Sequence, residues 1–299
     1  MGRYRTAAGF LTVSVLFGTS FPVVKVGLET LPPLLFAALR YDATALLVLG
    51  YAALAGRFVR PRGRDWLPVL AGGVFIVALN NAAWYAGQGL VPSAVGAVVI
   101  GTDAIFAGAF SWFLLPEERP DPVGVVGLLL GLLGVAVVAE PTPGRLGGAT
   151  VVGVGFLLGS AAAWGLGGVL VRRLRTDLPV ESMQGWMMVV GAPLLHAGSL
   201  AFREPQVGSI DWTVDAVVAL VYLTPVVGGV GFLLYLKLLD RIGPVEVNLI
   251  SYTLPVSAAA VGWVLLGERV EPNVVAGFLV IVVGFVLVKR RAIRDELGR

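Results

Sequence analysis

The sequence contains no cysteine and a single histidine, His196, so it offers neither a disulfide nor a thiolate metal site. Charge is equally scarce. Only 14% of the 299 residues are Asp, Glu, Lys or Arg, too few to cover a soluble domain of that length. No glycine-rich loop is followed by Lys-Ser or Lys-Thr, and the glycine runs lie inside apolar stretches. No paired acids stand within those stretches. These absences argue against a nucleotide-driven pump and against an enzyme, which needs a nucleophile, a base or metal ligands converging at one depth. No cofactor and no metal is expected.

What is there is apolar. Hydrophobic residues make up 57% of the chain, and the mean hydropathy is +0.86. Several runs exceed the roughly 18 apolar residues that mark a spanning helix. The fold class expected is an all-α polytopic membrane protein. Loop punctuation divides the chain into ten transmembrane helices, at 6–28, 32–55, 66–88, 92–115, 121–139, 149–171, 180–202, 213–237, 243–266 and 272–288. Arg3 and Arg5 precede the first run as in a signal peptide, but no small-residue cleavage site follows, so it reads as a retained span.

The net charge of +3 does not point to nucleic acid, because the basic residues sit in short loops. With the N-terminus inside, 17 of the 22 Lys and Arg fall on the cytoplasmic side, in the loops and tails around residues 3, 57–64, 119, 172–175, 237–241 and 289–299. The opposite loops hold Arg145, Arg203 and Arg269 alone, while Lys25 and Arg40 lie within spans. That asymmetry places both termini in the cytoplasm of a multi-pass cell-membrane protein.

The two halves of the sequence match. "LLPEERPDPVGVVGLLLGLLGVAVV" (114–138) aligns with "LLGERVEPNVVAGFLVIVVGFVLV" (265–288), pairing Arg119 with Arg269, Pro122 with Pro272, Gly127 with Gly277 and Gly134 with Gly284. Residues 6–139 form a first repeat, 140–148 a connecting loop, 149–288 a second repeat and 289–299 a basic tail. Five spans per repeat is an odd number, so the second copy is inverted across the membrane. Inverted repeats give transporters two similar conformations, open to opposite faces.

Three stretches carry a resemblance. "LFGTSFPVVKVGL" looks like a small-polar-aromatic first-helix signature, "PPLLFAALRYDATALLVL" has Pro-x-x-x-Phe-x-x-x-Arg spacing, and "LLGERVEPNVVAGFLVIVVGF" looks like a fourth-to-fifth-helix junction. In this order and twofold arrangement they resemble the drug/metabolite transporter superfamily, in particular its EamA-type members, over essentially the whole chain. The resemblance implies a ten-helix bundle around a central cavity and export of small metabolites, often amino acids. The halves differ at their centre: Trp186 stands where the first repeat has Arg40, Leu254 where it has Asp103, and Pro255 where it has Ala104.

Candidate cavity residues follow from depth. At 1.5 Å per residue, Arg40, Asn80 and Asp103 lie roughly 12–16 Å below one end of spans 2, 3 and 4, near a common layer. An ionised group facing lipid there costs at least ~2.5–3.5 kcal/mol, so these groups should face inward. Asp42 is about 200° around the helix from Arg40 and cannot share its wall. Arg40, Asn80, Asn81, Trp84 and Asp103 are therefore expected along the translocation route, with Arg40 able to hold a carboxylate bidentately. Asp103 is a candidate proton carrier. The competing reading is an Arg40–Asp103 pair that ties spans 2 and 4 together. Trp84 and Tyr85 also fit an interfacial aromatic belt, and His196 an interfacial position. From the second half, Trp164, Tyr222, Thr224, Asn248, Tyr252 and Thr253 offer polar or aromatic surface, and Pro225 and Pro255 are candidate helix bends.

The function expected is a secondary transporter exporting small metabolites, amino acids foremost, by alternating access around a midplane cavity. The alternatives are an uncoupled facilitator, or an importer of a sugar-phosphate, nucleotide-sugar or cationic drug, and then a channel or sensor. The partners expected are a small-molecule substrate, the lipid bilayer and, through Asp103, protons, with no nucleic acid.

Overall fold

The structure is a computed structural model that describes residues 2–114, 122–139, 148–235, 238 and 250–297. Every regular element among them is helical. Six stretches are long and apolar enough to cross a membrane: Ala8–Gly27, Pro33–Leu54, Gly63–Gln88, Ser93–Leu114, Ala149–Leu174 and Val214–Tyr235. Shorter apolar helices cover Val123–Ala139, Thr253–Leu266 and Pro272–Leu287, and a further 22-residue helix covers Val180–Ala201.

Several of these runs are interrupted. The first is α1 (Gly2–Gly18) and α2 (Ser20–Gly27), followed by α3 (Pro33–Leu54), which starts on the first-turn proline that needs no N–H partner. The third is α4 (Trp66–Gly72), a π-helical stretch at Gly73–Leu79, and α5 (Asn80–Gln88). The fourth breaks at Gly101 and Thr102 into α6 (Ser93–Ile100) and α7 (Asp103–Leu114). Then come α8 (Pro122–Ala139), α9 (Ala149–Leu174), α10 (Val180–Ala201) and α11 (Val214–Val221). A second π-helical stretch, Tyr222–Gly231, follows α11. The chain closes with α12 (Ile250–Leu266) and α13 (Pro272–Leu297).

The two π-helical stretches occupy corresponding runs, the third of each half. A π turn shifts backbone hydrogen bonding by one residue and leaves carbonyls to be satisfied otherwise. Asn81 does this in the first half, its Nδ2 donating to the carbonyls of Ile76 at 3.2 Å and Val77 at 2.8 Å. In the second half Pro225 lies inside the stretch and has no N–H to give. Pro255 lies inside α12.

Packing repeats the same correspondence. The third run (α4, α5) lies on α9, and α11 with its π stretch lies on α1 and α2. The fourth run (α6, α7) lies on α9, and α12 lies on α1 and α2. The fifth run, α8, packs on its counterpart α13 through facing glycines. A Cβ on Gly134 would meet the Gly277 carbonyl at 2.7 Å, and one on Gly284 would meet the Gly127 carbonyl at 2.6 Å. Exchanging the aligned glycines turns the first contact into the second. Backbones this close are what small residues permit between helices that gain nothing from burial in lipid.

The helices meet at two ends. At one, Arg57 Nη1 pairs with Glu181 Oε1 at 2.6 Å, and the Ser182 hydroxyl donates to Arg57 O while accepting from Val59 N. At the other, the Glu204 carboxylate accepts from Leu34 N and Leu35 N at the start of α3. The α3–α10 pair is thus fastened at both the Glu181 end and the Glu204 end.

Candidate functional site

Arg40 is buried in the middle of α3. Its Nη1 donates to Tyr85 Oη at 2.9 Å, and its guanidinium lies over the rings of Tyr41 at 5.5 Å and Trp84 at 5.9 Å. Cation–π contact of this kind steadies a charge without neutralising it. Among the described residues no carboxylate lies within ion-pair distance of Arg40. The Arg40–Asp103 tie that depth alone suggested is therefore not made.

The aromatic wall is continuous. Tyr85 is fully buried, edge-on to Phe36 at 5.2 Å and to Trp84 at 5.4 Å, and Trp84 also meets Phe21 at 5.3 Å. Tyr85 thus belongs to the interior and not to an interfacial belt, because its hydroxyl has a buried guanidinium to accept from. Three buried donors here make no hydrogen bond: Arg40 Nε, Trp84 Nε1 and Thr224 Oγ1. Thr224 stands level with Arg40, since one turn further along both helices Gly228 faces Thr44. Unmade hydrogen bonds at buried donors cost about 1–3 kcal/mol each. Two of them beside the guanidinium that carries the third describe a place prepared for an acceptor.

Asp103 is half-buried and opens α7 just after the helix break. Its Oδ1 accepts from Ala104 N at 2.5 Å, and a carboxylate at a helix start is stabilised by the exposed N–H groups there. The break is held by Thr102, whose Oγ1 donates to Val99 O at 2.6 Å. On the second half, Tyr235 packs on Phe17 at 6.0 Å.

The other candidates divide. Asn80 Nδ2 donates to Ser160 O at 3.0 Å and Ser160 Oγ at 2.8 Å, joining α5 to α9. Asn81 is committed to the π turn and accepts from Tyr41 Oη at 3.1 Å. Tyr222 Oη, at the start of the π stretch after α11, and Thr19 Oγ1, between α1 and α2, share a hydrogen bond of 2.6 Å, and Thr253 Oγ1 donates back to Ile250 O. Asn248 lies outside the described residues, as does the side chain of Tyr252. His196 Nε2 and Asp42 Oδ2 are 2.7 Å apart on the exposed side of the α3–α10 pair, opposite Arg40. Tyr85, Tyr41 and Thr19 were not singled out as site residues; the adjacency of Tyr85 to Trp84 was the signal available.

Asn80 is a glue residue by this geometry. Replacing it with Ala removes two interhelical bonds at a typical 0.6–2 kcal/mol each. Asn80→Ala should therefore lower the melting temperature in detergent by a few degrees, with the aromatic wall intact by tryptophan fluorescence.

Trp164 reports on the shape of the centre. It shares one face of α9 with Leu157 and Ser160, both fully buried, yet Trp164 itself is 45% exposed. Span 4 behaves in the same way. Above its break α6 packs on α2, α5, α9, α12 and α13, and below it α7 packs on α9, α8 and α13. At one end of the bundle α2 and α6 of the first half meet α12 and the turn that follows it, and Asp103 stands where span 4 changes partners.

A helical bundle with symmetric halves, broken helices and a buried unneutralised cation is the build of a membrane transporter. The EamA-like transporter family model matches residues 5–139 and again 151–290, and the chain belongs to that family. It is 26% identical to "Uncharacterized transporter YvbV" of Bacillus subtilis over 291 residues, which is 97% of this chain and 93% of that protein. It is 29% identical to "Probable amino-acid metabolite efflux pump" of Salmonella typhimurium over 288 residues, 92% of both chains. It is 28% identical to "Uncharacterized inner membrane transporter YedA" of Escherichia coli K12, over 92% of this chain and 87% of the other. A solved crystal structure covers 98% of this chain and 99% of its own with a TM-score of 0.63 at 24% identity, which establishes the fold alone.

Proposed function

We propose that this transporter exports small metabolites bearing a carboxylate, amino acids foremost, by alternating access of two inverted five-span repeats, 6–139 and 149–288. In this reading ten helices span the plasma membrane and both termini are cytoplasmic, as the loop charges favour. One observation carries the substrate chemistry: Arg40 is buried with a hydroxyl, not a carboxylate, as its partner, beside unpartnered donors on Trp84 and Thr224. A planar carboxylate supplies the missing charge and accepts from a guanidinium fork in two places. The efflux-pump relative supports the amino-acid class. Asp103, half-buried where span 4 leaves the packed layer, is suited to carry the proton exchanged against substrate.

The test is flux in proteoliposomes, with labelled amino acids and an imposed pH gradient. The outcome expected is saturable transport that the gradient accelerates. Saturable but gradient-independent flux would return the protein to uncoupled facilitation and remove the proton role of Asp103. No flux of any amino acid would remove the substrate class.

A further inference from the structure

Where the start of α6 meets the α12–α13 turn, an ion pair bridges the two halves. Lys25, near the end of α2, donates to Glu268 Oε1 at 2.6 Å and to the Val91 carbonyl at 3.1 Å. Glu268 follows α12, and its second oxygen accepts from Ser93 N at the start of α6 at 2.8 Å. Three elements thus converge on one carboxylate: α2 and α6 from the first half, and the α12–α13 turn from the second.

The turn is shaped for this. Gly267 takes a φ of +66°, a conformation glycine adopts without strain, and Glu268 N bonds back to Gly262 O at 3.2 Å. A Cβ on Gly262 would lie 2.5 Å from Glu268 Oε2, so only glycine leaves the carboxylate its place. Both partners are largely covered, with side-chain exposures of 28% for Lys25 and 13% for Glu268.

Beneath the ion pair the closed layer is poorly satisfied. The Gln88 amide, both Oε1 and Nε2, and Ser93 Oγ are buried and make no hydrogen bond, and Gln88 presses on Gly96. Opening would hydrate these groups, so they favour the open arrangement. Something must hold the end shut against them. The α3–α10 pair, by contrast, is fastened at both ends and has the character of a fixed frame.

We propose that Lys25 and Glu268 form a latch between the two repeats, made while this end is shut and broken when the transport cycle opens it. The inference rests on the alternating-access reading above. When the latch breaks, α12 carries Glu268 away from α2 and α6, and the parting of α6 from α12 exposes Gln88 and Ser93.

The chain has no cysteine, so a single Ser93→Cys substitution reports without background. The purified protein in nanodiscs is treated with a bulky, membrane-impermeant maleimide. Ser93→Cys alone should react slowly. Adding Glu268→Gln should raise the rate about tenfold, the factor equivalent to 1.4 kcal/mol. Lys25→Met, which leaves Glu268 on Ser93 N, should raise it too and serves if the glutamine variant does not fold. An unchanged rate in a folded variant overturns the latch. Labelling needs no substrate, so a protein that opens as described yet carries no amino acid loses the substrate reading and keeps the latch.

Discussion

Replacing Arg40 with Gln should lower kcat/KM for substrate export at least about a hundredfold while leaving the folded protein no less stable. The first half follows from what a guanidinium offers a carboxylate. Charged hydrogen bonds contribute about 1.5–3 kcal/mol each, and losing two of them removes ~3–6 kcal/mol. At about 1.4 kcal/mol per factor of ten this exceeds a hundredfold. The second half follows from the absence of an ion-pair partner among the described residues. Removing one member of a buried ion pair strands the other and destabilises the protein, whereas removing a lone buried charge relieves a desolvation cost of several kcal/mol. A structural Arg40 would therefore show the opposite pattern, with the melting temperature falling and transport kinetics following it. Arg40→Lys keeps the charge but loses the planar fork, so it should recover only part of the activity. Flux kinetics and melting temperatures on the same preparations decide between these outcomes.

The sequence made depth legible but not direction around the helix axis. Counting residues along spans correctly set Arg40 inward and Asp42 outward, because two positions on one helix fix their own relative angle. The structure buries Arg40 and leaves Asp42 on the exposed side beside His196. Between helices the same counting fails. Depth alone puts Arg40 and Asp103 in one layer and suggests a pair, yet Arg40 meets Tyr85 on α5 while Asp103 caps the start of α7 through Ala104 N. Which helix stands beside which is a tertiary fact that no single-span pattern contains. The repeat was legible because aligned glycines survive where backbones must touch, as in the Gly134–Gly277 and Gly127–Gly284 contacts.

The irregular backbone was the least legible part. Pro225 marked one π-helical stretch as a bend, but Gly73–Leu79 contains no proline and reads as an ordinary apolar run. Its signal was Asn81, a residue ready to donate to carbonyls that the π turn sets free. The break at Gly101 and Thr102 was hidden for a related reason. Neither residue forbids a helix, and the fork in packing partners, not local propensity, ends one.

That break gives the last prediction its form. Asp103→Asn keeps the shape of the side chain and an oxygen to accept from Ala104 N, so the helix start and the fold should survive. What it removes is the ability to take up and release a proton. If Asp103 couples transport to the proton gradient, the variant should lose gradient-driven accumulation altogether. It should still exchange labelled for unlabelled substrate, because exchange needs the cavity to alternate while loaded but needs no net proton movement. Arg40→Gln, by contrast, should lose accumulation and exchange together, because both begin with binding. Two variants and two assays thus separate the cation from the acid: one defect spans both assays, the other only the gradient-driven one. Accumulation that persists in Asp103→Asn would remove the acid from the coupling step and leave it as a helix-start residue at the fork of span 4. Loss of exchange in Asp103→Asn, with the fold intact, would instead move Asp103 into the substrate site with Arg40.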